Sequence, residues 1–284
     1  MAGRRTRTGR PPTRPARFPM FALGVLVGAL AAGWLAGSHM HFAARGLPAA
    51  LRTSRPAPPA PRAAGHPRVA VIFDDAGYSL PAAREVLALP RPVTISVLPD
   101  LPYSTPIAEE AAQRGVQVML HLPLQPDNPA LDPGPGRVTA DMTDGAIART
   151  VASDFATVPG AVGANNHMGS RGTADPRMMH AILGVVKTRA LFFVDSLTSP
   201  RSVAAQTAHS MGVPTAVRAV FLDGRDDEEY VRAQFHLLIR AAQARGQAVA
   251  IGHVGKVTAR VFRGMLPEFD EAGIRFVPVS TLVR

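Results

Sequence analysis

Asp74 and Asp75 stand side by side directly after five apolar residues, Val69 to Phe73, with Gly77 two positions further on. Adjacent carboxylates at the end of a buried run repel each other, and burial sharpens the penalty. A metal ion, a cationic side chain or a shared proton would relieve it. A solvated turn, favoured by Asp and Gly alike, is the plain alternative. The same place in the pattern, just after a short apolar run, is taken repeatedly by residues able to do chemistry: His121, Asn165-Asn166-His167, Asp195-Ser196, Asp223 and His253. Residues 68–284 hold six histidines, and three of them fall there; His180, His209 and His236 sit inside helix-like patterns and read as packing or surface residues.

An aspartate and two histidines drawn from separate strand ends can converge on one ion. Imidazole with carboxylate suits Zn2+ and its borderline neighbours. An open position on such an ion would carry a water of lowered pKa. The second carboxylate, beside the ion but not bound to it, would act as general base, and His253 would protonate the leaving group. Each histidine taken singly also reads as a satisfied strand-end residue. Asp223-Gly224 is read as a plain turn in preference to a ligand-facing loop. Cysteine is absent, which excludes disulfides, thiolate zinc sites and cysteine nucleophiles. No Gly-x-Ser-x-Gly elbow occurs, so Ser170 and Ser196 are not read as acyl-enzyme nucleophiles. No phosphate-cradling glycine motif follows the first strand, which argues against nucleotide binding.

The elements that must position these groups are short apolar runs alternating with amphipathic stretches. The runs cover 69–73, 93–98, 116–120, 161–164, 190–194, 217–222, 248–252 and 276–280. Continuous apolar character suits strands buried on both faces. Thr105-Pro106, Asp175-Pro176 and Ser199-Pro200 each offer an N-cap side chain followed by proline at the first helical position. Gly115, Gly212, Gly246 and Gly273 read as helix stops. Strand–helix alternation repeated seven or eight times predicts an α/β fold, a distorted (β/α) barrel of seven to eight parallel strands, with a doubly wound open sheet as the alternative. Sites in either layout form at the C-terminal strand ends. Residues 122–142, rich in Pro and Gly, predict a long functional or mobile loop.

The formal net charge of +10 resembles that of a nucleic-acid binder until it is located. Residues 1–67 hold ten arginines and no Asp, Glu or Lys, leaving 21 basic against 21 acidic residues in 68–284. The globular part is neutral overall, so net charge supports no nucleic-acid face. Residues 18–37 carry no charge across twenty positions, about 30 Å of helix and the thickness of a bilayer core. The expected layout is a basic cytoplasmic tail at 1–17, a single-pass transmembrane signal anchor at 18–42, a disordered Pro/Ala-rich linker at 43–67 and a catalytic domain at 68–284 on the periplasmic or extracytoplasmic side of the inner membrane. A cleaved signal ending near Leu35-Ala36-Gly37 is the alternative; the length of the apolar run favours the anchor.

FDDAGY, MLHLPL, GANNHMGSR, LFFVDS, VFLDG and IGH, in this order, resemble the divergent polysaccharide deacetylase family over nearly all of 68–284. The resemblance implies a distorted (β/α) barrel and divalent-metal hydrolysis of acetyl groups on a polysaccharide or peptidoglycan. It implies Asp74 as base, Asp75 as metal ligand and His253 as catalytic acid. The related enzymes carry a His-x-x-x-His pair of ligands; His121 is followed at that spacing by Gln125, so His167 is the candidate third ligand. Arg171 is the candidate for the arginine that pairs with the base, and Asp195 falls where relatives keep an aspartate acting through it. Asn165, Asn166 and Ser196 are expected to contact substrate. The leading expectation is a membrane-tethered, zinc-dependent carbohydrate deacetylase of the envelope. The alternatives are a catalytically degenerate glycan-binding or scaffold protein on the same fold, and metal-dependent hydrolysis of another bond.

Overall fold

A computed structural model of the chain describes residues 65–284. The expected tail, anchor and most of the linker lie outside the described residues. Among the described residues no helix is long and apolar enough to cross a membrane.

The described elements follow one another as β1 (Arg68–Ala76), α1 (Leu80–Leu87), β2 (Thr94–Val97), α2 (Ser104–Gln113), β3 (Gln117–Leu124), α3 (Asp144–Thr157), β4 (Gly163–Met168), α4 (Pro176–Thr188), β5 (Phe192–Asp195), α5 (Ala204–Met211), β6 (Thr215–Val217), β7 (Val220–Phe221), α6 (Glu228–Arg245), β8 (Gln247–His253), α7 (Thr258–Gly264), α8 (Leu266–Glu271) and β9 (Arg275–Phe276). Every strand pairing is parallel, in the order β6-β5-β4-β3-β2-β1-β8-β7, with β9 beside the start of β1. The two ends of that order, β6 and β7, are joined by Arg218 and Ala219 alone. Arg218 N donates to Asp195 O at the end of β5, and Ala219 N donates to Val249 O of β8. The sheet therefore curls into a distorted half-barrel of eight strands.

Burial follows the two-residue period of the strands. In β1, Val69, Val71 and Phe73 pack outward with Phe235, Phe262 and Phe269 of α6, α7 and α8. Ala70 and Ile72 face inward, sharing a cluster with Met119, Val194, Val249, Ile251 and the C-terminal residues Val277, Val279 and Leu282. A second outer layer packs α2, α3, α4 and α5 on the other half of the sheet. Residues that continue the inward parity past this plug are Asp74 on β1, His121 on β3, Asn165 and His167 on β4, Ser196 after β5 and His253 on β8. The apolar plug ends where the polar site begins.

Four local expectations are corrected. The run 217–222 is two strands, because the sheet's two ends take its two halves: β6 pairs with β5, and β7 with β8. The run 276–280 is a two-residue strand followed by a 3-10 turn at Val279–Thr281, since Pro278 has no N–H to continue a ladder. The helix expected after Ser199-Pro200 starts at Ala204. Ser199 Oγ instead accepts from Arg201 N in a local turn. The α2 helix starts at Ser104, and Thr105 donates to Thr157 O rather than capping. Asp175 does cap α4, accepting from Arg177 N and Met178 N. The 122–142 loop is tied down: Gln125 Oε1 accepts from Ala140 N at 2.8 Å, and Arg177 donates to the carbonyls of Ala140 and Met142.

Asp154 of α3 lies under this loop. A Cβ at Gly136, whose φ is +72°, would collide with its carboxyl. Its Oδ2 is buried with no hydrogen-bond partner among the described residues. Burial, with the charge of Asp100 added, pushes its pKa up to about 8. The folded state therefore keeps a proton that the unfolded chain releases near pH 4, and stability falls as pH rises between those values. Asp154→Asn is expected to raise the melting temperature at pH 8 by a few degrees, on the order of 1 kcal/mol or more, and to change it little at pH 4. Thermal melts at the two pH values check this.

Candidate metal centre and active site

Asp75 breaks the strand alternation. Its φ is +62°, a left-handed conformation that L-residues rarely adopt, and the β1–β2 register shifts between Phe73 and Ala76. Regular pleating would send the Asp75 carboxylate to the face opposite Asp74. The distortion instead brings both to one imidazole: His121 Nε2 lies 3.6 Å from Asp74 Oδ2 and 3.2 Å from Asp75 Oδ1. Met168 and Leu197, past the working residues of β4 and β5, also have φ of +49°. Strained backbone thus gathers at one end of the barrel, as it does around functional sites.

Asp75 Oδ1, His121 Nε2 and His167 Nδ1 form a triangle. The carboxylate oxygen is 3.2 Å from His121 and 3.0 Å from His167, and the two ring nitrogens are 3.1 Å apart. Among the described residues these are the one group of three or more His, Cys, Asp or Glu side chains that could hold an ion. Asp75 Oδ1 is buried and has no hydrogen-bond donor among the described residues. Ligand atoms bound to one tetrahedral ion at 2.0–2.2 Å lie about 3.3 Å apart, so the donor set fits a divalent metal. Its chemistry, one carboxylate oxygen and two imidazole nitrogens, fits zinc or a neighbour. The electrostatics ask for positive charge at the same point. Burial opposes ionisation of Asp75, but the two imidazoles hold its carboxyl far below the usual range. Burial likewise opposes a charge on His121, while Asp74 and Asp75 raise its pKa.

Asp74 is buried beside this triangle. Desolvation raises its pKa, and His121, His253 and the Asn165 amide pull it back. Asn165 Nδ2 lies 2.9 and 3.0 Å from the two Asp74 oxygens and 3.1 Å from Ser196 Oγ. Asn165 Oδ1 lies 2.9 Å from His121 Nδ1 and accepts from Ser96 Oγ at 2.5 Å. Asn166 accepts from Ser196 N at 2.9 Å and donates to Met168 O and Thr198 Oγ1. The three residues expected to contact substrate, Asn165, Asn166 and Ser196, are thus buried, and both asparagine side chains bond to Ser196.

His253 ends β8, directly opposite Asp74 in the ladder. Its Nε2 is 3.9 Å from Asp75 Oδ2, and its Nδ1 is 2.7 Å from Asp223 Oδ1. Asp223 Oδ2 accepts from His253 N and Thr258 Oγ1. Asp223 is therefore a buried partner of the histidine and not a plain turn residue. The sequence marked both residues as strand-end groups, and the pairing of β7 with β8 brings them together. Burial disfavours a charge on His253, but Asp223, Asp75 and Asp74 together raise the pKa to about 9.

Arg171 does not meet Asp74. Its backbone N donates to Gln125 O, and its exposed side chain enters no ion pair among the described residues. The guanidinium within electrostatic reach of Asp74 belongs to Arg218, which donates to Ser196 O at 2.6 Å and Leu197 O at 2.9 Å and lies over the Phe221 ring. A charged residue interrupting the apolar run 217–222 was its one sequence signal. Asp195 is buried and accepts from Leu197 N and Ser202 Oγ, closing its own turn.

A curled parallel half-barrel thus carries a carboxylate pair, two inward imidazoles and an Asp–His pair at its C-terminal rim. A family model described as divergent polysaccharide deacetylase matches residues 71–283, and the chain belongs to that family. An uncharacterized protein of Haemophilus influenzae is 33% identical over 76% of this chain and 77% of its own length. The uncharacterized protein YibQ of Escherichia coli is 35% identical over 70% of this chain and 62% of its own, so the match spans under two thirds of that relative. The crystal structure of an uncharacterized protein from Agrobacterium tumefaciens C58 superposes with a TM-score of 0.74 at 24% identity, covering 78% of this chain and 91% of that one.

Replacing Asp223 by Asn removes the charge that raises the His253 pKa. NMR titration of the ring protons is expected to show the midpoint falling from about 9 to near or below the ordinary 6.5.

Proposed function

We propose that the protein is a metal-dependent hydrolase that removes acetyl groups from an amino sugar of envelope polysaccharide or peptidoglycan, held at the inner membrane by residues 18–42. The observation that carries this reading is the convergence of Asp75 Oδ1, His121 Nε2 and His167 Nδ1 within 3.2 Å of one another, beside a fourth group, Asp74, that is free to act as base. Family membership supports the acetylated glycan as substrate. Asp75, His121 and His167 would hold a divalent ion, zinc by donor type. Such an ion supplies Lewis acidity toward a water and an acyl oxygen. Asp74, with its pKa raised by burial, takes the proton from the attacking water. His253 keeps its Nδ1 proton on Asp223 and carries a second proton on Nε2 at neutral pH, ready for the departing amine. The residue at the expected second ligand position, Gln125, is spent on holding Ala140 N. His167 on the neighbouring strand offers the atom that Gln125 does not, which supports the hydrolase reading over a binding protein on a degenerate enzyme fold.

Asp74→Asn is expected to lower acetate release from acetylated amino-sugar oligomers by about 100-fold or more, the scale of a lost general base, with metal content unchanged. His121→Ala and His167→Ala are expected to lose the metal, measured by elemental analysis of purified protein. Full activity in Asp74→Asn, or undiminished metal in both histidine variants, would overturn the assignment.

A further inference from the structure

Asn165 is fully buried and reaches no solvent. Its amide has one nitrogen end and one oxygen end, and the surroundings decide which faces which. The nitrogen faces both oxygens of Asp74, at 2.9 and 3.0 Å. Meeting two carboxyl oxygens from one position suits the NH2 group, which has two hydrogens to donate. The amide oxygen is thereby turned to His121 Nδ1 at 2.9 Å, with Ser96 Oγ donating to the same oxygen. A carbonyl only accepts, so His121 Nδ1 must carry the proton. The other ring nitrogen, Nε2, faces Asp75 Oδ1 and His167 Nδ1 and is the atom left to ligate an ion.

We infer that Asn165 is a positioning residue that sets His121 in its metal-ligating tautomer, using Asp74 to fix its own orientation. The inference rests on the metal site proposed above. It assigns Asn165 a role behind the ligands rather than against substrate. The carbonyl end serves the ligand and the amide end serves the base, so one side chain orders two groups with different tasks. Outer partners of this kind orient ligating imidazoles in metal sites generally.

The two ends can be separated by substitution. Asn165→Ala removes both, and zinc affinity, measured by competition with a chelator, is expected to fall about 10–100-fold. Asn165→Asp keeps an acceptor for His121 Nδ1 but takes the donor away from Asp74; its zinc affinity is expected to stay within about threefold while acetate release drops. The wild-type protein supplies a test that needs no variant. Imidazole nitrogen NMR of the zinc-loaded chain is expected to place the His121 proton on Nδ1. A proton on Nε2, or equal zinc affinity in the wild type and Asn165→Ala, would overturn the inference. Failure of the wild type to bind zinc would instead overturn the metal reading itself.

Discussion

The structure turns on putting two neighbouring carboxylates on the same side of one strand. Pleating sends consecutive side chains to opposite faces, so Asp74 and Asp75 cannot both face the barrel interior in a regular strand. The left-handed backbone at Asp75, with φ of +62°, resolves the conflict. A non-glycine residue there costs on the order of 1–3 kcal/mol. The surroundings must over-determine it, and they do: β1 is flanked by β2 and β8, and its register with β8 runs unbroken from Arg68 to Asp74. Val254 N closes onto Asp74 O just beyond. The ladder holds Asp74 in register and leaves the next residue to absorb the turn.

Four carboxylates crowd the C-terminal rim, and each meets its burial differently. Asp75 faces two imidazoles. Asp223 has a backbone N–H, a threonine hydroxyl and His253. Asp195 accepts locally from a backbone N–H and Ser202. Asp74 has the Asn165 amide and, among the described residues, no formal cation in hydrogen-bond contact. That ranking of compensation matches the division of labour proposed for them: the best-compensated groups hold or orient, and the least compensated is the one left to accept a proton.

The seam at Arg218 matters for the same reason. The two edges of the half-barrel are joined there through two residues only, and the Arg218 guanidinium lies between them, bonded to the carbonyls after β5 and stacked on Phe221 of β7. Phe221 in turn meets His253 edge-on at 5.4 Å. The wall that carries Ser196 and Asn165 and the wall that carries His253 are thereby tied across the weakest point of the sheet. Burial of that guanidinium lowers its pKa, with Asp195 and Asp74 opposing the effect.

Much of this was legible in order along the chain. Apolar runs ending in polar residues marked the strands and their functional ends, because a parallel strand buried on both faces must be apolar until it reaches the rim. The candidate ligands Asp75, His121 and His167 could be named on that ground together with the family resemblance. The basic, apolar and proline-rich opening segments could likewise be read from composition, though they lie outside the described residues. What the linear order could not express was direction and partnership. It could not say that Asp75 leaves the pleat, that Asn165 turns inward behind His121, that Asp223 faces His253 across 30 residues, or that Arg218 rather than Arg171 approaches Asp74. Periodicity records which side a residue takes in a regular element. The irregular turns at strand ends, and contacts between strands distant in sequence, arise only when the sheet curls and packs, and there tertiary structure alone decided the site.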